Sequence, residues 1–145
     1  MIRERPATLD DVPAIAEIER ASFGDPWSEA SFRGTFANEG AIVRAAEQEG
    51  RVVGYSVAWV IGDDAELANL AVAPDARRQG VGALLLDALL RELDARGGAT
   101  VFLEVREGNA AARALYASRG FEVSGRRKGY YRAPVEDAVL MLRRP

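Results

Sequence analysis

The sequence predicts a single-domain α/β fold: a mixed, mostly antiparallel sheet of about seven strands flanked by about four helices. Three observations carry this. The chain has 145 residues, the size of one domain, and residues 1–145 are read as one unit. Its hydrophobic spacing alternates between strand and helix periods in the order βααβββαβαββ. The longest regular stretch, Ala65 to Gly97, reads strand, loop, helix, and an apolar strand, Ala99 to Val105, follows at once. A strand–helix–strand order of that length implies a parallel pair with a right-handed crossover.

The elements follow in turn. Residues 1–7 form a first strand. Asp10 is placed to cap a first helix, with Pro13 in the first turn, where a missing N–H is tolerated. Val12, Ile15, Ile18 and Ala21 give that helix an apolar face. Ser28 caps a second helix that reaches about Asn38, and Trp27 and Phe32 are spaced as a hydrophobic staple. Phe23 and Trp27 either pin the two helices to the sheet or wall a substrate groove; the residues leave both open. Ala41 to Glu47 and Val52 to Ile61 pair antiparallel across Gln48-Glu49-Gly50. Gly54 marks a bulge, a close backbone approach or a packing position.

Gly62-Asp63-Asp64 turns the chain into the central strand, which carries Leu67, Leu70 and Val72 and ends at Pro74-Asp75. The next helix buries Val81, Leu84, Leu85, Ala88, Leu89 and Leu93 and stops at Gly97-Gly98. After the strand Ala99 to Val105, Asn109 caps a short helix to about Arg119, and Gly120 ends it. Phe121 to Val123 begins a strand, Ser124 to Ala133 reads as a polar loop, and Asp137 to Leu142 closes the sheet.

Composition narrows the chemistry. The chain has no Cys and no His. That excludes a disulfide framework, a Cys/His metal site, a cysteine nucleophile and any histidine acid or base, so no metal is expected. Proton chemistry falls to Glu, Asp, Tyr, Lys or water. A net charge of −3 argues against a nucleic-acid partner, despite the basic and aromatic run Arg126 to Arg132. No run approaches the roughly 20 apolar residues of a membrane span and no signal peptide opens the chain, so a cytoplasmic protein without a membrane partner is expected.

The loop Arg77-Arg78-Gln79-Gly80-Val81-Gly82 lies at a helix N-terminus. There, main-chain N–H groups lack intrahelical partners and the dipole favours negative charge. Two glycines allow close approach to the backbone, and two arginines add fixed positive charge. This is the composition of a phosphate cradle. No Lys-Ser/Thr follows the glycines, and the dinucleotide fingerprint is not met.

Arg77-x-x-Gly80-x-Gly82, following Ala68-Asn69-Leu70-Ala71-Val72, resembles the acetyl-CoA pyrophosphate loop of the GNAT superfamily of N-acetyltransferases. The order of elements resembles that fold from end to end. The resemblance implies that the central strand and the strand after the central helix splay apart, and that the gap receives the pantetheine arm like an added strand. Phe-x-x-Pro-Trp-Ser, Leu103-Glu104-Val105-Arg106 and the run from Asn109 to Tyr116 are most similar to the RimI-type ribosomal-protein alanine N-acetyltransferases.

An amine attacking a thioester must be neutral, and the oxyanion and leaving thiolate must be stabilised. An α-amine of pKa about 8 is roughly one-tenth neutral at pH 7, a lysine only about four parts in ten thousand. An α-amine therefore asks only for a modest base. Glu104 is the lone charge in the apolar run Val101 to Val105, an expensive place unless the carboxylate is solvated, paired or used. The resemblance implies that Glu104 is the base and Tyr116 the acid that protonates the thiolate. It further implies that Asn109 contacts acetyl-CoA and that the backbone of Leu70, Ala71 and Val72 binds the acetyl and pantetheine groups, with the Val72 N–H as oxyanion donor. Trp27 and Tyr131 would shape the acceptor site. The implied acceptor is a protein N-terminal peptide, such as that of a ribosomal small-subunit protein. A lysine side chain, a polyamine or another small amine is the alternative acceptor, and a non-catalytic acetyl-CoA-binding module the alternative class. The segment Arg132 to Val135 is shorter than that subfamily leads one to expect.

Overall fold

The computed structural model describes residues 1–145. Its strands are β1 (Ile2–Pro6), β2 (Ala41–Gln48), β3 (Arg51–Ile61), β4 (Asp64–Val72), β5 (Thr100–Arg106), β6 (Glu122–Tyr131) and β7 (Glu136–Arg143). The helices are α1 (Val12–Ser22), α2 (Glu29–Phe36), α3 (Val81–Ala95) and α4 (Ala110–Ser118). One sheet runs in the order β1-β2-β3-β4-β5-β7-β6, and only β4 and β5 pair in parallel. The expected α/β class, strand number, helix number and parallel pair are all present.

Helices cover both faces, giving two apolar clusters. Val12, Ile15, Phe32 and Tyr55 pack where α1 and α2 meet β2–β4. Leu86, Leu89, Leu93, Val101 and Met141 pack under α3 and α4. The staple forms as expected: Ser28 Oγ accepts the Ser31 N–H at 3.1 Å, and the Trp27 and Phe32 rings lie 5.4 Å apart. Phe32 in turn meets Tyr55 edge-on at 5.7 Å, a pair worth ~1 kcal/mol beyond its buried area. The β2–β3 turn places Glu49 and Gly50 at φ 53° and 79°, the left-handed pair that a two-residue hairpin needs.

Two features position the site. First, Gly54 is a packing glycine: a Cβ there would meet Val81 Cγ1 at 2.8 Å and Leu85 Cδ1 at 3.1 Å. The first turn of α3 therefore sits directly on β3. The pairing of β2 with β3 also shifts register beside it, between Ala46 and Glu47. Second, β4 carries a bulge. Leu67 pairs with Ala58 and Asn69 with Val57, which leaves Ala68 as the extra residue. Leu67 packs with α3 residues, whereas Asn69 bonds to Glu19 of α1. A regular strand would aim both to one face; the bulge re-aims the second. Pairing of β4 with β5 ends at Leu67 and Leu103, so the two strands splay beyond that point.

Four expectations are corrected. Asp10 does not cap α1. Thr8 opens a short 3-10 turn over Leu9–Asp11, and the buried Asp11 carboxylate takes the Thr8 N–H at 2.8 Å and both Arg5 guanidinium NH2 groups at 2.8 and 2.9 Å. Ala21 is exposed, and the buried face of α1 is Val12, Ile15, Ala16 and Glu19 with Ile18 at its edge. Leu84 is only half-buried, while Leu86 and Leu90 are buried. Residues 124–131 are not a loop but the greater part of β6, an edge strand paired with β7 and polar because most of its side chains face solvent.

Candidate active site

From Arg77 to Ala83 no main-chain N–H finds an acceptor within the protein. The reason is local. Pro74–Ala76 forms a single 3-10 turn, Arg78 and Gly80 take φ of 63° and 78°, and the first intrahelical bond comes only at Leu84, which donates to Gly80 O at 3.0 Å. A run of donors beside α3 is therefore left for a ligand. Space beside the Gly80 Cα is open. Arg77, whose Nε–H reaches Val72 O at 3.2 Å, and Arg78 both stay exposed. Donors, dipole and guanidinium groups together suit a diphosphate.

The strand feeding this loop offers a second set of donors. Ala73 N–H bonds to Val53 O at 2.8 Å, and direction alternates along an antiparallel strand. The Leu70 and Val72 amides therefore point away from β3, into the gap left by β5. Val72 O points the same way, since Arg77 reaches it.

The gap opens into a cleft of about 760 Å³ lined by Trp27, Leu70, Glu104, Asn109, Tyr116 and Tyr131 among others. Six of the residues singled out in the sequence thus share one cavity. Ala71, Val72 and the loop 77–82 lie beyond its end, continuous with Leu70. Asn109 caps α4, its Oδ1 accepting the Ala112 N–H at 3.1 Å, which leaves its amide NH2 for the cleft. Trp27 does both things that the sequence left open: its ring packs on Phe32 and it lines the cleft.

Glu104 is half-buried on β5 and turned to the cleft. One carboxylate oxygen, Oε1, lies 4.0 Å from Arg127 Nη2; the other, Oε2, is buried with no hydrogen-bond partner. A buried carboxylate oxygen without a donor is costly unless a ligand or water supplies one. Tyr116 is 6% exposed and packs against Phe121 at 5.6 Å. Burial, then the Tyr131 charge, push its phenol well above the ordinary tyrosine value, so it holds its proton at neutral pH. Tyr130 is raised by the neighbouring Glu104 carboxylate and by burial. Tyr131 is pushed up to about 12 by burial and then by the Glu104 charge.

Two arrangements go beyond the residues singled out in the sequence. Arg106 holds the β6–β7 turn: it donates to Arg132 O at 2.7 Å and Pro134 O at 2.9 Å, meets Glu136 at 3.2 Å, and lies over the Tyr131 ring at 4.6 Å. On the opposite wall, Glu19 is buried and accepts the Trp27 N–H at 2.9 Å, Asn69 Nδ2 at 2.9 Å and the Tyr55 hydroxyl. Burial and then the Glu19 charge drive the Tyr55 phenol far above its ordinary value. The two walls meet above the cleft, because a Cβ on Gly24 would overlap Ala133 O. The one sequence signal for Glu19 is a carboxylate at i+7 of the stripe Val12, Ile15, Ala16.

No helix is long and apolar enough to cross a membrane. Residues 12–121 match the Acetyltransferase (GNAT) family. The chain is 42% identical over 135 residues to the [ribosomal protein bS18]-alanine N-acetyltransferase of Escherichia coli (strain K12), covering 90% of this chain and 89% of that one. It is 37% identical over 137 residues to a putative [ribosomal protein bS18]-alanine N-acetyltransferase of Bacillus subtilis (strain 168), covering 92% and 89%. Among solved structures, the ribosomal-protein-S18-alanine N-acetyltransferase from Escherichia coli superposes with a TM-score of 0.92 at 39% identity, covering 99% of this chain and 94% of that one.

Proposed function

The chain belongs to the acetyltransferase (GNAT) family and is an acetyl-CoA-dependent N-acetyltransferase; on that premise we propose that its acceptor is the N-terminal α-amine, most readily of alanine, of a protein such as a small-subunit ribosomal protein. The single observation that carries the reading is the junction of the splayed strands. There, outward amides of β4, the unpartnered Glu104 oxygen and the Tyr116 residue share one gap. The bacterial relatives, which are bS18-alanine N-acetyltransferases, support the acceptor.

In this proposal the whole of residues 1–145 acts as one domain. The Arg77, Arg78, Gln79, Gly80, Val81 and Gly82 segment holds the diphosphate of acetyl-CoA. The backbone of Leu70, Ala71 and Val72 pairs with the pantetheine arm and thioester, and the Val72 N–H stabilises the oxyanion. Asn109 contacts the same substrate through its free amide. Trp27 and Tyr131 flank the acceptor. The amine attacks the acetyl carbonyl directly and loses its proton to Glu104 through water, while the C–S bond breaks and Tyr116 donates a proton to sulfur. Solvent returns the Tyr116 proton and takes that of Glu104. A chain without cysteine favours this ternary-complex route over an acetyl-enzyme.

The test is to incubate the protein with acetyl-CoA and a panel of amines: short peptides opening with alanine, the same peptides with a blocked N-terminus and an internal lysine, and free polyamines. Mass spectrometry then locates the acetyl group. Acetylation confined to free peptide N-termini is expected, with a loss of about 100-fold or more in Glu104→Gln. Turnover on lysine or polyamine alone overturns the acceptor. Tight acetyl-CoA binding without turnover of any amine, unaffected by Glu104→Gln, overturns catalysis.

A further inference from the structure

We propose that Glu19 is a positioning residue: its buried carboxylate anchors the acceptor wall of the cleft to the strand that faces the thioester. The proposal rests on the acceptor-site reading above. Glu19 is 1% exposed, yet faces no cation; its charge is met by three hydrogen-bond donors alone. Those donors come from three places. Trp27 N–H belongs to the connection between α1 and α2, Tyr55 to β3, and Asn69 to β4 just past the bulge that opens the gap.

Removing this group has unequal consequences for the three. Tyr55 and Asn69 sit within paired strands and keep their register without Glu19. The connection over residues 23–27 has no strand pairing to hold it. Its C-terminal end is fixed to α2, where Ser28 O accepts the Phe32 N–H at 3.1 Å, but from Phe23 to Trp27 its main-chain ties are Phe23 N–H to Glu19 O at 3.0 Å and Trp27 N–H to the Glu19 carboxylate. This connection also carries Gly24, which meets Ala133 of the opposite wall, and the Trp27 ring that lines the cleft. Loosening its base shifts the acceptor wall while the amides of β4 and of the 77–83 segment stay in place. Burying a carboxylate without a counter-ion is expensive, and an apolar side chain fits an amphipathic helix face better. The arrangement makes sense as a device that sets the width of the acceptor site.

The test uses Glu19→Met, which keeps bulk and removes the acceptor oxygens, beside Tyr55→Phe, which removes one donor and leaves the Trp27 tie. The expected result for Glu19→Met is an acceptor-peptide KM raised about tenfold, with kcat and the acetyl-CoA KM within about twofold of wild type. In a Trp59→Phe background, where Trp27 is the only tryptophan, acrylamide quenching of Trp27 rises in the same variant. Tyr55→Phe lowers the melting temperature and leaves the acceptor KM alone. A parallel rise of both KM values, an unchanged acceptor KM, or an equal rise in Tyr55→Phe overturns the proposal. Should Glu19→Met fail to fold, Glu19→Gln gives one oxygen position a donor in place of an acceptor; about threefold in acceptor KM is expected, and a wild-type value overturns the idea. If the wild type acetylates no peptide N-terminus, the acceptor reading falls, while the Trp27 quenching comparison still decides the anchor.

Discussion

Replacing Tyr116 by phenylalanine separates chemistry from packing. The Tyr116 residue is 6% exposed, and its ring rests on Phe121 at 5.6 Å; a phenylalanine ring keeps both. No hydrogen bond from its hydroxyl contributes to the phenol's raised value, which comes from burial and the Tyr131 charge. Its loss therefore strands no partner, and stability should stay within roughly 0.5 kcal/mol, a melting shift under about 2 °C for a chain of this size. Catalysis should respond differently. A positioned acid contributes about 10²- to 10⁴-fold, so kcat should fall at least 100-fold, about 2.7 kcal/mol of barrier. The acetyl-CoA KM should change little, because the proton is given only as the C–S bond breaks. The sign of the pKa shift adds a second check. An acid must be protonated to act, and a phenol held above its ordinary 10 stays protonated throughout the usable range. The wild-type rate should therefore show no alkaline fall from this group below about pH 10. Steady-state kinetics with a peptide acceptor and a thermal melt give all of these numbers. A loss under about threefold, or a loss carried wholly by the acetyl-CoA KM, would refute the assignment of Tyr116 as acid.

Two further outcomes follow from the packing and the ion pairs. Gly54→Ala places a methyl group 2.8 Å from Val81 and 3.1 Å from Leu85, so α3 must move or strain by about 1–3 kcal/mol; the acetyl-CoA KM should rise several-fold more than the acceptor KM, as measured by initial rates. The hydrogen bonds from Arg5 hold the Asp11 carboxyl below its ordinary value despite burial. A depressed folded pKa stabilises above the unfolded value and is lost as pH falls through the folded one, so Asp11→Asn should cost about 2 kcal/mol from pH 7 down to about pH 4, narrowing only below that. Urea melts across that range check it, and a gap already closing at pH 6 would contradict the direction of the shift.

What was legible in the sequence was local. Ser28, Trp27 and Phe32 lie within five residues of one another, and their cap and staple formed as their spacing demands. The loop from Arg77 to Gly82 announced itself because glycine, arginine and a helix start coincide in one short run. The errors came from groups whose meaning is set at a distance. Counting in threes from Val12 places Ala21 on the buried face of α1, but the helix turns at 3.6 residues and buries Glu19 instead. A glutamate reads as solvent-exposed until Tyr55 and Asn69 arrive from strands 36 and 50 residues away. The polar stretch after Val123 read as loop because an edge strand exposes most of its side chains, and the partner that makes it a strand is β7. Arg106 stood in a recognisable motif, yet its grip on Arg132 O and Pro134 O spans 26 and 28 residues.

The site itself forms where regular structure is left incomplete. A sheet normally satisfies its own N–H and C=O groups, and a helix N-terminus is normally capped. Here the extra residue Ala68 turns β4 out of register with β5, and α3 begins behind a glycine with no side-chain cap. Either interruption alone would be a defect exposed to water. Gly54 joins them, because it lets the first turn of α3 lie against β3, the strand that carries β4 on its other edge. The two sets of free amides are thereby held on one rigid body, in series along the chain from Leu70 to Ala83. A ligand with an amide-bearing arm and a diphosphate at its end can meet both at once, and a ligand with only one of these groups leaves half of the donors to solvent. The binding energy therefore depends on how stiffly β3 couples the interruptions, more than on any single arginine.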